Sequence, residues 1–232
     1  MPLQAQQIVA MACSVAKCPA FLIQGGQYMN LVLQNLYLHR DLKVNRQTQS
    51  LVIQANSNGP FNLESDYNRT YDLFYLQNNL PYFLYPVTMS DYDAEFKDPS
   101  ISNYPYEYAT DLSVQAQTAS GTTGQIYIYP QSSGQITLTH RYMVSQPDIT
   151  NPQTSTVVPW FVDQDYLVKA VAARLMEITD DARLDRFRED CESMLRTHLI
   201  MEGDEQPIVH SVRLDPRRFH TNRSLKPTKV TN

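Results

Sequence analysis

Residues 159–203 read PWFVDQDYLVKAVAARLMEITDDARLDRFREDCESMLRTHLIMEG, and this stretch decides the predicted fold. Apolar residues recur at helical spacing in two runs, separated by the capping residues Thr179-Asp180-Asp181. The first run is Leu167, Val171, Leu175 and Ile178, and the second is Leu184, Phe187, Cys191, Met194, Leu195 and Leu199. The pattern predicts two consecutive helices within residues 160–203, the second of them ended by Gly203.

A second pair of helices is predicted in residues 1–44. Residues 3–17 carry one apolar stripe and end before Pro19, while residues 27–43 carry a much broader apolar sector. That sector comprises Tyr28, Met29, Leu31, Val32, Leu33, Leu36, Tyr37 and Leu38. So broad a sector must be covered on more than one side. Two helices at each end of the chain therefore predict a four-helix bundle formed by the N- and C-terminal segments.

The period changes between the two pairs of helices, in residues 45–159. Short alternating and aromatic runs are separated by turn-rich pieces such as NSNGP and QNNLP, which predicts an inserted antiparallel β domain. Residues 124–130 (GQIYIYP) and 134–144 (GQITLTHRYMV) are predicted to pair as a hairpin, and a short helix is expected at residues 90–96. The fold class expected is α+β.

Charge is segregated along the chain, whose formal net charge is −5. From Pro207 onward there are six basic residues and one acidic residue, so this end carries +5, whereas residues 1–206 carry −10. Pro216, Pro227 and the lack of any sustained period argue against a helix here, yet several side chains are apolar. We expect residues 204–232 to be an extended basic C-terminal tail that docks on a partner.

The composition and the absence of several motifs restrict the classes of function that fit this sequence. The three cysteines have neither disulfide nor zinc spacing, and we expect no cofactor and no metal. No apolar run is long enough for a membrane span, and the N-terminus does not resemble a signal peptide. Phosphate-loop, dinucleotide, serine-hydrolase and zinc-protease motifs do not occur, which favours a non-enzymatic protein. Fifteen tyrosines fit either packing in a small β domain or subunit interfaces.

Two alternative functions stay open at this point. Acidic residues such as Glu95 and Glu189 permit a hydrolase acting on cell-wall glycan, although the separation of two carboxylates cannot be obtained from sequence. The basic tail permits a nucleic-acid-binding arm, although an acidic body disfavours sequence-specific DNA binding.

Four segments together resemble the head-to-tail adaptor proteins of tailed bacteriophages, the relatives of tail accessory factors and tail tubular protein A. They are residues 59–96, YPYEYATD (104–111), PWFVDQDYLVKAVAARLMEITDDAR (159–183) and VRLDPRRF (212–219). The most specific pieces are Asp66-Tyr67 with Arg69, Pro159-Trp160-Phe161, and Thr179-Asp180-Asp181. The chain departs from the pattern at Leu63-Glu64 and at Asn78-Asn79, where Asn replaces an expected glycine turn.

The resemblance implies a structural connector of the virion, made in the bacterial cytoplasm and placed at the head-tail junction. About a dozen copies, twelve being the expected number, would form a homo-oligomeric ring below the portal protein. DNA would pass through during ejection without specific binding, a downstream tail or nozzle protein would attach, and no membrane would be involved. The portal contact is expected at Arg213, Leu214, Pro216, Arg217, Arg218 and Phe219. Packing within the bundle and against ring neighbours is expected at Tyr28, Leu31, Val32, Leu36, Leu184, Phe187, Met194 and Leu195.

Overall fold

A computed structural model describes residues 2–95, 102–113 and 124–202 of the chain. Five α-helices occur in these residues: α1 Ala5–Val15, α2 Leu22–His39, α3 Met89–Glu95, α4 Gln164–Thr179 and α5 Leu184–Glu202. Short 3-10 helices at Pro19–Phe21 and Lys43–Asn45 flank α2. In this described part of the chain, no helix has the length and apolar character needed to cross a membrane.

The predicted four-helix bundle is wrong. The described residues form an α+β fold with five helices and three sheets, of which one is a four-stranded antiparallel sheet. One of the four long helices is central, because α1, α2 and α5 each pack against α4. We call α1, α2, α4 and α5 together the helical layer. Half of the residues of α4 are buried, including Ala170, Ala172 and Ala173, so this helix with its small residues is the centre that the other three share. A groove stays open over α4, between α2 and α5.

Among the described residues, ten strands lie between the two pairs of long helices, which is partly consistent with the predicted inserted β domain. They are β1 Arg46–Ile53, β2 Phe61–Asn62, β3 Tyr67–Gln77, β4 Leu80–Phe83, β5 Tyr85–Pro86, β6 Ser102–Asn103, β7 Glu107–Asp111, β8 Gln125–Tyr129, β9 Gln131–Ser132 and β10 Ile136–Val144. One four-stranded sheet has the order β1-β10-β3-β4, a second has the order β2-β8-β7-β5, and β6 pairs with β9.

The predicted hairpin between residues 124–130 and 134–144 is also wrong. β8 pairs with β2 and β7, whereas β10 pairs with β1 and β3, so the two strands belong to different sheets. The reason is burial. Ile126 and Ile128 of β8 and Leu138 of β10 are fully buried in one apolar cluster, so these strands meet through their side chains rather than along their edges.

The β domain is joined to the C-terminal end of α2 by several hydrogen bonds. The Arg69 guanidinium donates to the carbonyl of Leu38 at 2.5 Å and to Asp41 at 2.6 Å. The amide of Gln34 donates to Asp148 at 2.8 Å, in the segment after β10. α5 begins at Leu184 and runs antiparallel to α4, so its last residue, Glu202, lies near the start of α4. There Phe161 contacts the His198 ring, with 5.0 Å between the ring centroids. The C-terminal end of α2 lies at this same end of the helical layer.

Candidate interaction surfaces

The groove between α2 and α5 is a cavity of about 500 Å³ with an apolar floor and a charged rim. Ala170 and Ala173 of α4 form the floor because their short side chains leave space above the central helix. The apolar walls are Val32 and Leu36 from α2 and Cys191 and Leu195 from α5. The rim comprises Asn35, His39, Arg40, Arg174, Glu177, Arg188 and Glu192. A groove of this volume can hold a small ligand or a few side chains of a partner protein.

Ion pairs on the rim connect α4 to α5. The carboxylate of Glu177 accepts from Arg188 of α5 and lies 3.4 Å from Arg174 of its own helix. Partial burial would raise the pKa of Glu177, but these two guanidinium groups outweigh burial and lower it. Within the groove, burial raises the pKa of the Cys191 thiol to about 11, so this cysteine is a thiol rather than a thiolate at neutral pH.

The residues predicted to pack in the bundle or ring fall into three groups. Val32, Leu36 and Leu195 are buried in the core of the helical layer. Tyr28, Leu184, Phe187 and Met194 are half-buried, and the first three pack against that core. Leu31 is exposed on the outer side of α2. The ring contact itself stays a prediction, and Leu31 is the member of the set most available for it.

Seven large side chains at one edge of the β domain are exposed, and we call this surface the aromatic edge. It comprises Leu76, Leu80, Tyr82, Phe83, Tyr85, Tyr104 and Tyr106, each between 45% and 61% exposed. Two of its rings lie against the buried Tyr75, which stacks on Tyr82 at 5.6 Å and on Tyr104 at 6.4 Å between ring centroids. Asn78 and Asn79 form the turn between β3 and β4 with positive φ, as the sequence predicted for them.

The sequence indicated the aromatic edge only in part. Tyrosine abundance suggested interfaces, but which tyrosines would be exposed depends on which strand is an edge strand, and periodicity does not fix that. One further signal was available. Residues 73–90 and 102–106 contain no charged side chain, which is the composition of an interface core rather than of an ordinary exposed strand.

The residues that carry the adaptor resemblance lie at structural joints. Asp66 accepts from the Tyr142 hydroxyl at 3.1 Å, and Arg69 joins β3 to the end of α2. Phe161 is buried between Trp160, Tyr166 and His198, immediately before α4. Asp180 ends α4 in the left-handed conformation with φ of 48°, and Asp181 pairs with Arg183 at 2.6 Å. These side chains shape the connections between elements, and none of them forms a catalytic pair with another.

The expected portal-contact residues lie outside the described residues. Arg213, Leu214, Pro216, Arg217, Arg218 and Phe219 all belong to residues 203–232. Their role stays a prediction from the sequence.

The carboxylates named for a hydrolase do not form a described catalytic pair. Glu189 is exposed on α5, and the side chain of Glu95 lies outside the part described. Across residues 2–95, 102–113 and 124–202, no group of three or more His, Cys, Asp or Glu side chains could hold a metal ion. Asp181 is held as a carboxylate because the Arg183 side chain lowers its pKa to about 2, which suits a capping residue rather than a general acid.

His140 is the most perturbed histidine of the described chain. It is fully buried on β10, its Nε2 lies 3.0 Å from the Thr70 hydroxyl, and its ring contacts Tyr67 and Tyr142. Its Nδ1 is buried without a hydrogen-bond partner among the described residues. Burial lowers the pKa of His140 from 6.5 to about 4, because protonation would bury an unpaired charge. It acts as a neutral core residue.

Comparisons with models of known protein families and with curated proteins each find no match for this chain.

Proposed function

We propose that the protein is a head-to-tail adaptor of a tailed bacteriophage. Copies would form a ring below the portal protein, extend the channel through which DNA leaves, and provide the platform for a downstream tail or nozzle protein. The observation that carries the proposal is the resemblance of residues 59–96, 104–111, 159–183 and 212–219 to that family. The resembling residues lie where secondary-structure elements connect, which supports the proposal, because residues in such positions maintain a fold rather than take part in a reaction.

The charge distribution also supports the proposal. Residues 1–206 contain 13 basic and 23 acidic side chains, a net charge of −10. A ring of such bodies repels the phosphate backbone, so DNA passes through the channel without adhering to its wall. The expected basic tail, residues 204–232, follows α5, whose last residue, Glu202, lies at the end of the helical layer that also bears the β domain. A tail of 29 residues has ample reach to dock on a neighbouring protein.

The role of the tail is tested by co-sedimentation with purified portal rings from the same virus. The full chain is expected to sediment with the rings, and a truncation ending at Gly203 is expected to stay in the supernatant. Binding of both forms would show that the folded body makes the contact. Binding of neither form would contradict the adaptor proposal.

Two matched triple variants separate a specific portal contact from general charge attraction. Arg213→Gln/Arg217→Gln/Arg218→Gln removes three charges within the resembling segment, and Arg223→Gln/Lys226→Gln/Lys229→Gln removes three beyond it. The adaptor proposal predicts that only the first variant loses at least tenfold in portal affinity. If the tail were instead a nucleic-acid arm, both variants would lose DNA affinity alike, and that affinity would fall steeply with salt.

A further inference from the structure

The aromatic edge is large enough to be one side of a protein interface. About half of seven side chains, each offering about 150–250 Å², leaves roughly 700 Å² of mostly apolar surface exposed. That area exceeds the largest patch on a typical monomer, about 300–600 Å². It is close to the share of about 800 Å² that each partner contributes to a stable interface.

The surface wraps the edge of a sheet, so apolar groups are available on both of its faces. β4 is the outer strand of the first sheet, and all four of its residues are exposed. Its register pairs Phe83 with Phe74 and Pro81 with Leu76 on one face, and Tyr82 with Tyr75 and Leu80 with Gln77 on the other. The Tyr85 N–H donates to the Tyr106 carbonyl at 2.8 Å, which brings the second sheet against this edge.

Charge favours a second copy of the chain as the occupant. Residues 1–206 of each copy carry a net charge of −10, so two copies repel each other on any face that carries carboxylates. The aromatic edge lies within segments that have no charged residue, residues 73–90 and 102–106. Arg141, which lies over the Phe74 ring, is paired with Asp72 at 3.3 Å. Two copies can therefore meet here without opposing like charges.

The chemistry of the surface is self-complementary. Tyrosine hydroxyls both donate and accept hydrogen bonds, so the same surface on two copies supplies partners for itself. Offset aromatic rings pack well against one another, which favours ring-on-ring contact. Open-ended strand addition is disfavoured because Pro81 has no N–H, and a proline on an edge strand blunts sheet extension. A surface that is complementary to itself favours an isologous pair, in which the same patch of each copy contacts the other.

We infer that two copies of the chain pair about a two-fold axis through the aromatic edge. The pairing needs neither portal nor DNA, and it goes beyond the proposed function because the ring contact was assigned to the helical layer. It buries on each copy the seven side chains that are exposed in the single chain.

Sedimentation equilibrium of the full chain alone tests this inference, with Leu80→Thr/Phe83→Thr as the disrupting variant. Threonine keeps strand propensity while it removes apolar area. The wild type is expected to be a dimer at micromolar concentration, and the variant is expected to dissociate at least tenfold more readily. The control is Val52→Thr, which alters a residue as exposed as Phe83 on β1, the other edge of the same sheet, and is expected to leave the dimer unchanged.

A salt series on the wild type gives a result that does not depend on any variant's folding. Because the interface has no ion pair, its dissociation constant is expected to change less than about twofold between about 50 and 500 mM NaCl. A chain that stays monomeric at about 100 µM would overturn the inference. So would a dimer that Leu80→Thr/Phe83→Thr leaves intact, or a monomer that floats with phosphatidylcholine vesicles. None of these results affects portal binding, so the two proposals fail separately.

Discussion

The helical layer and the β domain are stabilised by different chemistry. The buried cluster of the helical layer is built from aliphatic and small side chains with Phe161, and no tyrosine or histidine is fully buried there among the described residues. The buried cluster of the β domain includes Tyr67, Tyr75, Tyr108 and Tyr142, and His140 is buried against two of these rings. Buried polar atoms need hydrogen-bond partners, whereas aliphatic groups need only close packing. The first region should therefore respond to changes of volume, and the second to pH and to loss of single hydroxyl groups.

The largest effect is expected for Phe161→Ala in the helical layer. This ring is 1% exposed and contacts Trp160, Tyr166 and His198, so its removal leaves a cavity where α4 begins. We expect the free energy of unfolding to fall by about 3–5 kcal/mol in urea titrations. The matched control is Val162→Ala, whose side chain is 73% exposed and whose loss should cost less than about 0.5 kcal/mol. Equal effects of the two changes would contradict the packing described for the helical layer.

The second effect concerns pH and belongs to the β domain. The unfolded chain protonates His140 below about pH 6.5, but the folded chain does so only near pH 4, so stability that is present above pH 6.5 is lost as pH falls towards 4. The loss attributable to this residue is about 3 kcal/mol. In urea titrations across this pH range, the free energy of unfolding should fall less steeply with decreasing pH for His140→Gln than for the wild type. His39→Gln, at an exposed position, should retain the wild-type slope.

A smaller effect is expected for Tyr142→Phe. The change removes a hydroxyl that donates to Asp66 at 3.1 Å while it keeps the ring against Tyr67 and His140. We expect a loss of about 1 kcal/mol, measured by hydrogen exchange of strands β3 and β10. Tyr71→Phe alters an exposed tyrosine of β3 and should have almost no effect. If protection from hydrogen exchange were lost in the helices rather than in these strands, the proposed difference between the two regions would be contradicted.

The smallest effect is expected for Arg188→Gln. Its ion pair with Glu177 joins α5 to α4, but both side chains are substantially exposed. An exposed pair contributes about 0.2–1 kcal/mol, and the contribution should shrink in high salt. Thermal unfolding at low and high salt measures it, with the exposed Arg196→Gln on the same helix as control. A loss of several kcal/mol would mean that the helical layer relies on charge rather than on packing.

Sequence patterns predicted local structure better than the arrangement of elements. Apolar spacing placed the four long helices, and the capping residues Thr179-Asp180-Asp181 marked the break between the last two. The spacing could not show that α4, with its run of alanines, would be the shared centre. Nor could strand alternation show that β8 and β10 belong to different sheets, because Ile126 and Leu138 are buried in either arrangement. Partner choice among strands depends on long-range contacts that periodicity does not contain.

The candidate surfaces show the same limit. The apolar positions Val32, Leu36 and Leu195 were identifiable, but whether each would be buried in the chain or left for a neighbour was not, because that depends on which helices meet. Leu31 illustrates the difference, since it shares the same apolar sector of α2 and is exposed. The charge-free run of residues 73–90 was the clearest available indication of an interaction surface.

The most direct test of the adaptor proposal is the stoichiometry of the full chain on isolated portal rings. Rings are titrated with fluorescently labelled protein and separated by velocity sedimentation, so that bound and free chains are measured together. The proposal predicts saturable binding that ends at a fixed number of chains per ring, in proportion to the portal subunits. Binding that never saturates, or no binding at concentrations where the chain is folded, would contradict it.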